Sequence, residues 1–155
     1  MQTLDEIVAE SPIFAGLESS QLELIAGCAQ NKGFAKGDRL FREGDAADRF
    51  YLVRRGRVTV TLYTPSRGEL TVETIEPGDI VGWSWLFEPY RWHFDAVAAD
   101  DVRTVAFDGA CLRGKCGADH ELGYELMRRF AAVMIDRLQH TQMQLVDIYG
   151  SYPRN

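Results

Sequence analysis

Phe34-Ala-Lys-Gly37-Asp-Arg-Leu40-Phe-Arg-Glu43-Gly44-Asp45-Ala-Ala-Asp48-Arg49-Phe50-Tyr51-Leu52-Val53, continued by Gly56-Arg-Val58-Thr-Val60, is the stretch that decides the fold. It consists of short β-rich runs broken by glycine corners. Residues 50–53, 58–63, 70–75 and 102–107 are rich in β-branched and aromatic side chains with partial alternation, and read as strands. Gly37-Asp38, Gly44-Asp45, Gly56, Gly68 and Pro77-Gly78-Asp79 punctuate them at regular intervals. Corners this tight need positive φ or close backbone approach, which glycine supplies without steric cost. The expectation is a mainly β fold, an antiparallel jelly-roll-like β-roll over about residues 32–107, and not a βαβ sheet.

Helical signals flank the roll. Thr3 with Glu6 fits a capping box ahead of Leu4, Ile7 and Val8, and Ser20 with Glu23 predicts a second helix carrying Leu24, Ile25 and Cys28. Pro12-Ile13-Phe14 and Leu17 read as a loop packing onto the core. Helices are thus expected over 3–29 and again over 108–148, where Asp108 caps a short segment through Cys111 and Leu112. A long helix follows from about Asp119 to Ile148. Met127, Phe130, Met134, Leu138, Thr141, Leu145 and Ile148 recur three or four apart, close to a heptad seam, with Arg128, Asp136, Gln139, Gln142 and Gln144 off it. Thirty residues of helix span roughly 45 Å, more than a small roll can cover. The uncovered part is expected to meet a second copy of the chain. The division is one domain over 1–150 and a tail at 151–155.

Composition bounds the function. The 155 residues are 46% hydrophobic and 26% charged with net charge −6, enough for one core and opposed to a free-standing nucleic-acid binder, which is normally basic. Cys28, Cys111 and Cys116 form no C-x-x-C pair and are expected to be reduced thiols. The start has neither basic n-region nor apolar h-region, and no stretch approaches the roughly 20 apolar residues of a span. Cytoplasmic location and no membrane contact are the default expectations.

These glycine spacings resemble the first half of cyclic-nucleotide-binding domains of the Crp/Fnr type, and Pro77-Gly78-Asp79-Ile-Val-Gly82 is similar to the entry of their phosphate-binding cassette. The resemblance covers about residues 12–148. It implies a regulatory, non-enzymatic sensor domain with a dimerising C-terminal helix. The end at Leu145-Val-Asp-Ile-Tyr-Gly150 is similar to the family's hinge before its helix-turn-helix, so no direct DNA binding is expected.

Within the resemblance, cAMP binders carry Gly-Glu at the cassette start and Arg-Ser or Arg-Thr ten and eleven residues after that Glu. The Glu takes the ribose hydroxyl and the Arg the cyclic phosphate. Matched without a gap, Gly82-Trp83-Ser84-Trp85 through Arg91-Trp92-His93-Phe94 puts Trp83, His93 and Phe94 at those three places. Loss of the Arg–phosphate contact, roughly 1.5–3 kcal/mol, with the ribose contact, weakens binding by about a hundredfold or more. Three readings of Trp83, Trp85, Trp92, His93 and Phe94 stand open. The rings fill the pocket and no small molecule binds, with Trp83 the expected core filler. They line a remodelled pocket, with Arg91 and His93 holding a nucleotide-like or other small anion. Or they form a patch that docks a partner protein. Ordinary cyclic-nucleotide binding stays open through Arg91, two residues before His93. On the long helix Asp136 and Arg137 match the family's purine-contacting polar pair, or pair with each other across a dimer.

Other chemistry finds little support. A jelly-roll metal enzyme needs converging histidines, but there are only His93, His120 and His140 and no H-x-H. No P-loop, G-x-S-x-G or H-E-x-x-H is present, and three cysteines are too few for an iron–sulfur cluster. No catalytic residue, metal or cofactor is expected. Arg54, Arg55 and Arg57 read as a solvated hairpin turn.

Overall fold

The computed structural model describes residues 2–150; the tail assigned to 151–155 lies outside them. Helix α1 (Leu4–Glu10) carries the expected reciprocal box between Thr3 and Glu6. A 3-10 turn at Pro12–Phe14 then seats Phe14 in the core. Helix α2 (Ser19–Ala26) starts earlier than Ser20 and Glu23 suggest, because Gln21 Oε1 accepts from the Glu18 amide at 3.1 Å. The roll also begins earlier, at β1 (Ala29–Phe34), since six residues of β8 (Val102–Asp108) pair with it down to Ala29.

Between them run β2 (Arg39–Phe41), β3 (Arg49–Arg55), β4 (Val58–Thr64), β5 (Gly68–Ile75), β6 (Ile80–Val81) and β7 (Asp95–Ala98). Two antiparallel four-stranded sheets result, in the orders β1-β8-β3-β6 and β2-β7-β4-β5. This is the expected β-roll with flanking helices.

Strand β3 explains its own sequence. Phe50 and Leu52 face the helices, while Tyr51 and Val53 face the roll interior, so an unbroken apolar run is needed where alternation would serve a one-sided strand. Val105 and Phe107 against Ala106 do the same on β8. The β3–β4 turn at Gly56 has φ +79, and a Cβ there would sit 2.3 Å from the Asp101 carbonyl oxygen. Only glycine fits.

Asp108 caps α3 (Gly109–Ala118), accepting from the Cys111 amide at 2.9 Å. That cap, with the bond from the Asp108 amide to the Cys28 carbonyl at 2.9 Å, sets Cys28 beside Cys111. The two form a disulfide across Cα atoms 5.9 Å apart, which corrects the expectation of three reduced thiols. Cys116 is free.

Helix α4 (His120–Gly150) has 31 residues. Its first part packs Leu122, Leu126 and Phe130 into the core, with Val133 and Met134 against it. The seam read from the sequence is therefore split. Phe130 is fully buried in its own roll and Met134 leans on the same core, so neither belongs to a free face, because the roll takes this stripe before any partner can. Met127, Leu138, Thr141 and Leu145 remain exposed, joined by Ile135, Met143 and Val146. Among the described residues no helix is long and apolar enough to cross a membrane.

Candidate functional site

Strand β6 ends at Gly82, and the chain from there to β7 forms the cassette. Gly82 has φ +99 and lies under the Trp92 ring, where a Cβ would meet ring carbon at 2.4 Å. Trp92 in turn stacks on Phe41, centroids 3.7 Å apart and 8° from parallel. At the far end Asp95 accepts from Arg39 at 2.6 Å and from the Glu43 amide at 2.6 Å, tying the cassette to β2 and the turn after it.

The 3-10 turn Ser84–Leu86 drives Trp85 the other way. Its ring stacks on Phe50 at 4.7 Å and meets Phe130 edge-on at 5.2 Å, while its carbonyl accepts from Arg113 at 2.6 Å. Trp85 has no exposed surface, so it and not Trp83 is the core filler. A residue two positions from Trp83 in a 3-10 turn points elsewhere, and that separates two rings the sequence leaves equivalent.

Trp83 instead lines a cavity of about 400 Å³ with Trp92, His93 and Phe94, closed by Val60 of β4, Val72 and Glu73 of β5, and Met134, Arg137, Leu138 and Thr141 of α4. Gly82 and Ser84 also border it. Trp85 and Arg91 do not. Arg91 donates to the Gly44 carbonyl at 3.3 Å and not into the cavity, because an isolated bridge from residue 91 to Ala46 holds it against that turn. His93 and Phe94 lie exposed at the mouth.

Arg137 is the charged centre of the site. Its Nε lies 3.1 Å from Glu73 Oε1, its guanidinium 5.1 Å from the Trp83 ring centre, and it also donates to the Ile80 carbonyl. Only 12% of its side chain is exposed. Burial pushes the Glu73 carboxyl above the usual carboxylate range and works in the same way against the Arg137 charge, so desolvation outweighs the attraction for both partners. This partner comes from β5 of the same chain. Asp136 borders a neighbouring cavity of about 610 Å³, on the other side of the ion pair, with its carboxylate 3.7 Å from His140 Nδ1.

Glu73 is the residue the sequence reading missed. It sits in an ordinary alternating strand, Leu70-Thr71-Val72-Glu73-Thr74-Ile75, and nothing local marks it. Phe41, Val60 and Val72 were missed for the same reason.

Chemically, the site is an aromatic and aliphatic chamber with one internally neutralised ion pair. It has no free buried cation among its described lining residues.

Residues 31–119 match the family described as cyclic nucleotide-binding domain. The chain is 30% identical over 145 residues to a CRP-like cAMP-activated global transcriptional regulator of Mycobacterium tuberculosis, covering 94% of this chain and 63% of that protein. The chain thus spans less than two thirds of that relative. Among solved structures, a putative cyclic nucleotide-binding protein from Geobacter metallireducens is similar with TM-score 0.80 and 33% identity, over 88% of this chain and 99% of that one. A cyclic nucleotide-binding domain from Methylobacillus flagellatus shares the fold at TM-score 0.79 and 18% identity, over 97% and 84%.

Proposed function

Because the chain belongs to the cyclic nucleotide-binding domain family, we propose that it is a non-enzymatic regulatory sensor with no working phosphate anchor, paired through its long helix with a second copy. The observation that carries this is the state of Arg137. The cavity under the cassette is open, yet the cation buried in its wall is held by Glu73 and by the Ile80 carbonyl. A cyclic phosphate entering here would have to break that pair or go unneutralised.

Two other readings are less well supported. A ligand-free scaffold calls for rings that fill the cavity, whereas Trp83 and Trp92 line it. Ordinary binding through Arg91 calls for a guanidinium in the cavity, whereas this one is at Gly44.

Thermal unfolding in millimolar cAMP, cGMP or AMP tests the anchor. Ligand at 100 times its dissociation constant adds about 2.7 kcal/mol, a rise of several degrees. The expected rise is under about 1 °C with each. A rise of several degrees with cAMP would overturn the reading.

Pairing is supported by the distal half of α4, where Leu138, Met143, Leu145 and Val146 are exposed. Light scattering should give a dimer mass at about 50 µM. Leu145→Glu, outside the cavity lining, should weaken the dimer at least about tenfold by placing a charge in the seam. A wild-type monomer at that concentration contradicts the pairing.

A further inference from the structure

Trp83, Trp92 and Phe94 present aromatic surface to the cavity beneath the cassette. Trp92 is fixed there, stacked on Phe41 and packed over Gly82. Met134 and Leu138 face them from α4, adding apolar surface that adapts readily to a ligand's outline. The volume of about 400 Å³ falls at the small end of ligand sites, which run roughly 300–1,000 Å³.

Charge narrows the choice of occupant. An anion would meet the Glu73 carboxylate and the negative faces of the rings. A compact cation would seek an aromatic face, but the Trp83 face already carries the Arg137 guanidinium. Neutral, flat, apolar area satisfies every wall, and the Ser84 hydroxyl at the cavity border can donate or accept one hydrogen bond.

We propose that this cavity binds an uncharged, flat aromatic molecule in the place where the family's cassette would hold a cyclic nucleotide. The proposal rests on the reading that the cavity has no working phosphate anchor. It also replaces the small anion expected from Arg91 and His93.

The test is a fluorescence titration of the full chain with 1-aminoanthracene, an uncharged fused-ring fluorophore, and with its anionic counterpart anthracene-1-carboxylate. The neutral probe should bind with a dissociation constant on the order of micromolar, and the carboxylate at least about tenfold more weakly. Val60→Trp, which fills the cavity from β4, should weaken the neutral probe at least about tenfold. Phe94→Ala, at the exposed mouth, should weaken it several-fold with the melting curve unmoved, which separates loss of site from loss of fold.

The proposal is overturned by no binding at about 100 µM probe, by a carboxylate that binds as tightly as the amine, or by undiminished binding to Val60→Trp. A cAMP arm keeps the two levels apart. If cAMP binds in the micromolar range, the reading of the lost anchor falls, whatever the fluorophores do. If neither cAMP nor 1-aminoanthracene binds, that reading stands and only the ligand class falls.

Discussion

Trp85→Ala should lower the unfolding free energy by about 4 kcal/mol in urea titration, since truncating a fully buried Trp costs about 3–5 kcal/mol in lost transfer energy and residual cavity. Trp85 ends a stack centred on Phe50, in which Phe107 and Phe50 lie 4.6 Å apart, Phe50 and Trp85 4.7 Å, and Phe130 closes edge-on from α4. Removing it detaches three things at once: the cassette turn, the sheet face of β3, and the first part of the long helix. Trp83→Ala is the matched control. That ring is only partly buried at the cavity and its specific contact is the Arg137 guanidinium, so its loss should cost about 1 kcal/mol. Equal losses for the two variants would contradict the assignment of Trp85 to the core and Trp83 to the site.

Reduction of the Cys28–Cys111 bond is the second large effect. The bond joins positions separated by 83 residues. Chain entropy then puts its stabilisation at about 4 kcal/mol, exerted mainly on the unfolded chain. For a domain of this size that corresponds to a fall in Tm of roughly 10 °C when dithiothreitol is added. Cys28→Ser/Cys111→Ser should melt at the reduced protein's temperature and ignore the reductant. Thiol titration of the denatured, unreduced protein should find Cys116 alone. Three reactive thiols before reduction, with no change in Tm, would contradict the bond.

These two predictions fall on opposite sides of what the sequence discloses. The roll was legible because its signal is local: glycine corners at set intervals and strands of β-branched residues between them. Thr3 with Glu6 and Asp108 with the Cys111 amide were legible for the same reason, as caps act over three residues. The disulfide was not. Its halves lie at opposite ends of the roll's sequence and meet only because β1 pairs with β8.

The site was legible by position and not by side-chain direction. The resemblance placed the cassette from Gly82 through Phe94, and Trp83, His93 and Phe94 do border the cavity. Arg91 does not, because alternation along an extended strand fails in a segment that is loop on both sides of it. Arg137 lines the cavity, but its partner within the chain is on β5. An ion pair between a strand and a distant helix leaves no spacing rule to read. The heptad stripe misled in a more instructive way. Phe130 keeps the period of the seam and yet is spent on its own roll, because one helix face serves two neighbours in succession: first the sheet, then solvent or a second helix.

The central claim is that the cassette has given up its phosphate. Calorimetric titration of cAMP into the wild-type chain, and into Trp83→Glu/His93→Arg/Phe94→Ser, tests it most directly. Wild type should give no saturable heat up to about 1 mM, and the triple variant should bind at least about a hundredfold more tightly than its parent. A wild-type dissociation constant in the micromolar range or below would contradict the account.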